Sequence, residues 1–346
     1  MNDTGKKNHA KGVDYIVKVL NGMAQGLFAS LIIGLIIKQI GSLTSITLLI
    51  QFGKIAQYLT GPAIGVGVAM SVGASPLGVF CSAVAGAIGA GTFVLDPTGA
   101  LIHLAIGEPV GALCASLAGA EASKRVAGKT KVDIILVPLV TILVGGFVGT
   151  FLSPAITAMM KALGLFINNL TTLYPLPMGI LVSVVVGIVL TLPISSAAIC
   201  ISLHLSGLAA GAATVGCCCQ MIGFACSSYR ENGISGLISQ GLGTSMLQIP
   251  NIILNWKVWI PPTLTAALVG PLSTLIFKME NNAAGSGMGT SGLVGQFNTI
   301  STMGNSAFAP MILLHFILPA ILSIVISEYM RAKGWIKYGD LALDVK

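Results

Sequence analysis

Long stretches without a charged residue dominate the chain. A helix that crosses the hydrocarbon core of a bilayer needs about 20 apolar residues, so these stretches predict many membrane-spanning helices. They are continuously apolar rather than alternating, which disfavours a β-barrel. The charge-free stretches are 19–37, 55–95, 134–160, 162–229, 232–256, 258–277 and 281–327.

Basic residues form three clusters, and these predict the topology. Lys and Arg concentrate on the cytoplasmic side of a membrane protein, so both termini and the loop 121–133 are expected in the cytoplasm. The clusters are Lys6, Lys7, Lys11 and Lys18; Lys124, Arg125, Lys129 and Lys131; and Arg331, Lys333, Lys337 and Lys346. An even number of crossings is then required, and ten satisfy it. The ten are 19–37, two within 55–95, 97–120, 134–160, 177–192, 195–216, 232–256, 258–277 and 307–327.

Composition supports this fold class and narrows the function. The 346 residues are 54% hydrophobic and 8% charged, whereas soluble proteins carry about 25% charged residues. The net charge of +7 comes largely from the terminal and loop clusters, so no nucleic-acid partner is expected. The seven cysteines lie in apolar sequence without zinc-knuckle spacing, and no nucleotide-binding or hydrolase motif occurs. No metal, cofactor or catalytic residue is predicted.

The expected architecture is a single transmembrane domain over 19–330, with a cytoplasmic head 1–18 and a cytoplasmic tail 331–346. Two segments fit no ordinary crossing because they are rich in glycine, proline or hydroxyl residues: 84–112 and 283–304. Irregular backbone is tolerated at membrane depth where it is buried or lines a wet cavity. Both segments are therefore predicted to be broken helices or re-entrant hairpins, which mark binding sites in transporters. A flexible outer loop is the alternative for 283–304.

Two acidic residues in the first of these segments are candidates for function, because an intramembrane carboxylate is costly. Glu108 precedes Pro109, which pushes it out of the helical conformation, so the carboxylate is expected at a helix break. The alternative is that Glu108 only caps the following helix. Asp96 starts "DPTG", for which an Asx-type turn is the competing interpretation. His103 lies between them.

Three further patterns carry weaker expectations. Arg230 and Glu231 adjoin in "SSYRENG", which predicts an ion pair in an outer loop. Glycines four residues apart predict close helix packing or a dimer face; the pairs are Gly22/Gly26, Gly61/Gly65, Gly145/Gly149 and Gly207/Gly211. Two faint echoes suggest an internal duplication: 61–76 with 175–193, and "GTSML" (243–247) with "GTSGL" (289–293).

Five motifs along the chain carry a resemblance to known proteins: "GEPVGA" (107–112), "GLAAGAATVGCCCQMIGF" (207–224), "ENGISGLISQGLGTSMLQIPNI" (231–252), "WIPPTLTAALVGPLSTLIFKMEN" (259–281) and "GMGTSGLVGQ" (287–296). Together they resemble the EIIC sugar-permease family of the bacterial phosphotransferase system, which includes perfringolysin-regulator-like proteins. The resemblance implies a homodimer of about ten helices in the bacterial plasma membrane. It also implies a sugar bound beside re-entrant hairpins and separate EIIA and EIIB phosphocarrier partners.

The resemblance also implies site residues. "IGEP" (106–109) is similar to the family's I-T-E-P-like motif, although it lies earlier in the chain, and it makes Glu108 the acceptor for sugar hydroxyls. His103 is the expected histidine partner, and Asp96, Thr290, Gln296 and Asn298 complete the predicted substrate-binding set. The leading expectation is a transporter of a sugar or similar small polar solute by an elevator-type movement. The alternatives are a membrane regulator that binds a ligand without transport, and a proton-coupled transporter with Glu108 or Asp96 as the coupling carboxylate.

Overall fold

A computed structural model describes residues 3–96, 98–171 and 173–343. The chain divides into two compact units with a boundary between Ala158 and Met159. The elements of the first unit, and the helix α7 that runs across the boundary, are α1 Asp3–Leu27, α2 Ile33–Thr44, α3 Thr47–Tyr58, α4 Thr60–Ser71, α5 Pro76–Ala90, β1 Phe93–Leu95, β2 Leu101–Leu104, α6 Pro109–Val126 and α7 Asp133–Thr171. A π-helical turn, Phe28–Ile32, joins α1 to α2.

The second unit contains shorter helices and more interruptions. Its helices are α8 Pro175–Thr191, α9 Ser196–Ser202, α10 Gly207–Ser227, α11 Tyr229–Ile238, α12 Ile249–Leu254, α13 Ile260–Pro271, α14 Ala283–Ser286, α15 Val294–Met303, α16 Phe308–Ile312 and α17 Leu318–Ala332. Short π and 3-10 turns link several of them. These turns are Ser239–Gly243, Ser245–Gln248, Trp256–Trp259, Leu272–Ile276, Ser291–Leu293, Gly304–Ala307 and Leu313–Ile317.

The described residues contain five helical stretches that are long and apolar enough to cross a membrane. They are Asp14–Ser42, Asp133–Thr171, Gly207–Ser227, Trp256–Ile276 and Ser291–Ala332, the last interrupted at Gly304, where φ is +73°. The only strands in the described part of the chain are the short β1 and β2. The prediction of an all-α membrane protein is therefore confirmed. The ten predicted crossings include 232–256, which the hydrogen bonds described below contradict.

Local sequence signals explain where helices begin and end. α5 starts where the Ser75 hydroxyl accepts a hydrogen bond from the backbone N–H of Gly78 and Pro76 occupies the first turn, both common features of a helix N-terminus. It ends at Gly91, whose φ of +69° is a left-handed conformation that glycine adopts without strain. The chain then leaves the helix and forms the β1–β2 hairpin.

Close helix packing explains most of the spaced glycines. A Cβ on Gly22 would lie 2.3 Å from the carbonyl oxygen of Gly67, and one on Gly65 would lie 2.0 Å from that of Ser82. A Cβ on Gly211 would lie 1.9 Å from the carbonyl oxygen of Met279. These glycines therefore let backbones touch within the chain, as small residues do between membrane helices. Gly207 is different. It begins α10 with a φ of +59°, and a Cβ there would meet no atom within 4 Å.

Three predicted crossings have the wrong bounds. The segment 97–120 includes strand β2, and its helix begins at Pro109. The segment 195–216 is interrupted at His204 (φ +49°), and the long helix there is Gly207–Ser227. The segment 232–256 is a series of short helices whose two ends lie on the same side of the second unit, as the hydrogen bonds described below show.

Candidate solute-binding site

The predicted break at Glu108 is built by contacts between its neighbours and the end of α5. Gly107 has a φ of +82°, and a Cβ there would lie 2.5 Å from the carbonyl oxygen of Ala90. The backbone N–H of Glu108 donates to that same oxygen at 3.0 Å. Pro109 then begins α6, while Glu108 itself is extended, with φ −100° and ψ 123°. Gly107 and Pro109 thus fix the break on either side of the carboxylate.

The side chain of Glu108 does not do what the capping alternative requires. It accepts no hydrogen bond from the described first turn of α6, although it stands at the N-cap position, where a carboxylate oxygen would ordinarily accept one. Glu108 as a whole residue is partly exposed. Glu108 therefore occupies a helix N-terminus, which favours negative charge.

Asp96 and His103 lie on the β1–β2 hairpin. The carboxylate oxygen Oδ1 of Asp96 accepts hydrogen bonds from the Thr98 hydroxyl at 2.6 Å, the Ala100 N–H at 2.8 Å and the Thr98 N–H at 2.9 Å. The Thr98 hydroxyl is the main cause that lowers the pKa of Asp96 below its ordinary value. The interpretation of Asp96 as a turn residue is confirmed. His103 is exposed on β2, in register with Val94.

Residues 229–255, here called the first hairpin, start and finish at the same end of the second unit. The amide nitrogen of Asn232 donates to the carbonyl oxygen of Leu341 at 2.8 Å, and that of Asn251 donates to Ala342 at 2.8 Å. Since these two carbonyls are adjacent, both legs of the hairpin lie beside the C-terminal segment. The predicted single crossing over 232–256 is therefore wrong, and so is the assignment of 227–233 and the tail to opposite sides.

Residues 282–302, here called the second hairpin, also return to their starting point. The Asn282 amide donates to Asn298 Oδ1 at 3.0 Å and to the Thr302 hydroxyl at 3.4 Å. Next to it, Asn281 Nδ2 donates to the Thr299 hydroxyl at 3.0 Å. Asparagine side chains thus close the base of this hairpin. The predicted broken segment 283–304 has the geometry of a hairpin.

The two hairpins enter from opposite ends of α10. A β-bridge joins Gly207, at the start of α10, to Asn281 at the base of the second hairpin. At the other end, the Ser227 carbonyl accepts from Arg331 Nη2 at 3.0 Å, beside the base of the first hairpin. The 21 residues of α10 rise about 30 Å. The hairpins therefore point towards each other across a distance similar to the thickness of a bilayer.

The hairpins meet at their tips, at the two sequences that echo each other and at Gly241 just before the first of them. The Thr290 hydroxyl donates to the Gly241 carbonyl, and the Ser291 hydroxyl donates to the Gly243 carbonyl at 2.8 Å. Ser245, in the first hairpin, lies 2.8 Å from the hydroxyl of Thr191 at the end of α8. The polar groups at this junction are hydroxyls and backbone carbonyls, and they are buried.

Gln296 is the predicted site residue with an unused polar atom. Its Nε2 lies 3.1 Å from His315 Nδ1 and 3.3 Å from Cys218 Sγ. Its Oε1 is buried without a partner among the described residues, which is costly unless another group supplies a donor. Thr290 and Asn298 use their side chains within the hairpins. His315, in the π turn Leu313–Ile317, thus shares a hydrogen bond with Gln296 of α15.

The predicted set is divided between the two units. Glu108, His103 and Asp96 belong to the first unit, and Thr290, Gln296 and Asn298 belong to the second. Sequence reasoning missed the first hairpin. The signal for it was the run "GISGLISQGLGTSMLQ" (233–248), whose glycine, serine and glutamine content is as unusual for a lipid-facing helix as that of 283–304.

The charged loop at 230–231 also differs from its prediction. Arg230 Nη2 pairs with Glu328 Oε2 at 3.0 Å, and Glu231 Oε1 pairs with Arg331 Nη1 at 2.8 Å. The predicted pair between Arg230 and Glu231 is wrong, because residues adjacent on a helix face in different directions. Both pairs instead join α11 to α17.

An all-α fold with long apolar helices and polar hairpins defines a helical membrane protein. Residues 17–343 match the family model "Phosphotransferase system, EIIC", so the chain belongs to the EIIC family, as its motifs predict. No curated protein and no solved structure matches the chain.

Proposed function

We propose that the protein is a permease component that carries a sugar, or a similar small polar solute, across the membrane. Membership of the EIIC family supports a role in transport. The two opposed hairpins support it further, because irregular backbone that meets at mid-membrane is typical of transporter binding sites. The junction offers hydroxyls and backbone carbonyls rather than charges. Neutral donors and acceptors suit the hydroxyls of an uncharged carbohydrate.

Glu108 carries this proposal. Its carboxylate stands at a built helix break beside the N-terminus of α6, and carboxylate oxygens are the strong acceptors that suit sugar hydroxyls. Gln296 is the second proposed acceptor, through its unpartnered Oε1. His103 remains the proposed histidine partner. Asp96, Thr290 and Asn298 are proposed to act by holding the β-hairpin, the tip junction and the base of the second hairpin.

The rest of the proposal follows from the family. EIIC proteins imply separate EIIA and EIIB phosphocarriers, and a homodimer that moves its solute by an elevator-type displacement. The basic residues Arg331, Lys333 and Lys337 support a cytoplasmic position for the tail and the base of the first hairpin, in a bacterial plasma membrane. The second hairpin then enters from the outer side.

A thermal-shift screen tests the proposal. The purified protein in detergent is heated with sugars, sugar phosphates, polyols and small acids, beside Glu108→Gln and a matched control, Glu121→Gln. Glu121 lies further along α6, where it is partly exposed, pairs with Lys124 and accepts a hydrogen bond from the Tyr15 hydroxyl. We expect a sugar to raise the melting temperature of wild type and of Glu121→Gln, and not that of Glu108→Gln, because the amide loses one acceptor oxygen and the negative charge.

Other results contradict parts of the proposal. If a sugar stabilises Glu108→Gln as strongly as wild type, Glu108 is not a solute ligand. If no carbohydrate changes the melting temperature of wild type, the sugar-permease proposal fails and the regulator becomes the better hypothesis. If the affinity of wild type for a solute falls steeply as the pH is raised, and the affinity of Glu108→Gln does not depend on pH, the proton-coupled alternative is favoured.

A further inference from the structure

The C-terminal segment, residues 333–343, is packed into the second unit rather than extended from it. The side chains of Ile336 and Leu341 are each 1% exposed. They form one apolar cluster with Phe224 of α10, Val258 and Met330. Burial of large aliphatic side chains away from water is favourable. The segment is therefore fixed in place by its own hydrophobic contacts.

Side-chain amides from both legs of the first hairpin bind this segment. The Leu341 carbonyl accepts from Asn232 Nδ2 at 2.8 Å and from Gln248 Nε2 at 3.1 Å. The Ala342 carbonyl accepts from Asn251 Nδ2 at 2.8 Å. The Leu343 N–H donates back to Asn232 Oδ1 at 2.8 Å. An amide side chain that bonds a backbone carbonyl fixes the backbone rather than a particular side chain.

A chain of buried amides continues from the segment towards the tip of the hairpin. Gln248 Nε2 also donates to Gln240 Oε1 at 2.8 Å. Gln240 Nε2 in turn donates to the Ser228 hydroxyl at 2.8 Å and to the Gly236 carbonyl at 3.0 Å. Both glutamines are fully buried. The residue after Gln240 is Gly241, whose carbonyl accepts the hydrogen bond from Thr290 in the opposite hairpin.

We propose that residues 333–343 are a clamp that positions the tip of the first hairpin through Gln248 and Gln240. The segment closes the base of the hairpin, and the two glutamines carry that constraint to Gly241, where the hairpins meet. Gln248 is a positioning residue, because it touches the tip only through Gln240. The importance of the clamp for solute binding rests on the proposed function; its effect on the hairpin does not.

Hydrogen exchange followed by mass spectrometry tests the clamp on the full-length protein in detergent without any solute. Gln248→Ala is expected to speed exchange at 239–245 by about tenfold, because buried hydrogen bonds are lost between segment and tip. Asn251→Ala, a milder change at a partly buried residue, is expected to give about a threefold increase at the same amides. Exchange in α13 serves as the internal reference.

Asn255→Ala is the matched control. Asn255 binds the same segment, through the Trp335 carbonyl at 3.2 Å and Asp340 Oδ2 at 2.8 Å, but it lies outside the glutamine chain. It is expected to speed exchange at 335–340 and not at 239–245. The clamp is refuted if Gln248→Ala and Asn251→Ala change only 246–251 and 335–343. Because no solute is present, that result is separate from failure of the sugar screen.

Discussion

Replacing Arg331 by glutamine is expected to lower the free energy of unfolding by about 3–5 kcal/mol, because it leaves a buried carboxylate without its partner. The side chains of Glu231 and Arg331 are 1% and 9% exposed. Arg331 Nη1 lies 2.8 Å from Glu231 Oε1, and Nη2 lies 3.1 Å from Oε2. This two-point geometry is the strong form of an arginine–carboxylate contact. The pair also joins the start of the first hairpin to α17.

The neighbouring pair in the same region is the control. Arg230 and Glu328 are as close, at 3.0 Å, but their side chains are 62% and 42% exposed. An exposed pair contributes about 0–1 kcal/mol, so Arg230→Gln is expected to change stability little. Unfolding by SDS in mixed micelles measures both variants. Equal losses for the two arginines would show that burial does not determine the strength of these pairs.

A double variant separates the pair from its surroundings. Removing both charges, with Glu231→Gln and Arg331→Gln together, is expected to restore part of the lost stability, because no uncompensated charge stays buried. A loss equal to the sum of the two single changes would mean that the residues act independently. In that case the stability assigned to the ion pair would belong to the separate hydrogen bonds of each residue.

The sequence alone predicted two interruptions of the helices, at Glu108 and at Asp96, because residues next to each of them determine the backbone conformation. The break at Glu108 could be predicted because the residues on either side of it, Gly107 and Pro109, determine the backbone there. The turn at Asp96 could be predicted as an alternative for the same reason, since an aspartate two residues before a threonine supplies its own acceptor. In both places, the residues that make the structure are neighbours in the chain.

The first hairpin could not be predicted in this way. Its sequence is free of charge over 232–256, which is the pattern of a crossing helix, and its return depends on bonds to residues about 100 positions later. Asn232 and Asn251 lie beside Leu341 and Ala342 only after the tail has folded back. The same dependence explains the error at Arg230, whose partner Glu328 is on another helix.

The echo between "GTSML" and "GTSGL" acquires a physical meaning in the structure. A faint similarity in a chain rich in glycine is weak evidence for duplication, and the sequence alone left it open. The two copies lie at the tips of hairpins that enter from opposite ends of α10, and the Ser291 hydroxyl of one donates to the Gly243 carbonyl of the other. This arrangement resembles the inverted repeats from which many transporters are built.

Introducing a methyl group at Gly216 is expected to be among the most damaging small changes in the chain. A Cβ on Gly216 would lie 1.9 Å from the carbonyl oxygen of Ser183 and 2.6 Å from its Cα, so the backbone of α8 has to move. Overpacking costs about 1–3 kcal/mol and sometimes more, and the upper end is expected where the obstacle is backbone. Ser183 also donates to the Ala266 carbonyl at 2.8 Å, so the displacement reaches α13.

Gly146→Ala is the comparison for Gly216→Ala. A Cβ on Gly146 would meet only the end of the Ile88 side chain, at 3.5 Å, and alanine is the better helix former by about 1 kcal/mol. We expect the melting temperature of Gly216→Ala to fall by about 5–10 °C and that of Gly146→Ala to stay level or rise. Because α8 ends at Thr191, which contacts Ser245, Gly216→Ala should also weaken any solute binding found in the screen. A melting temperature equal to wild type would mean that α8 and α10 do not pack with their backbones in contact.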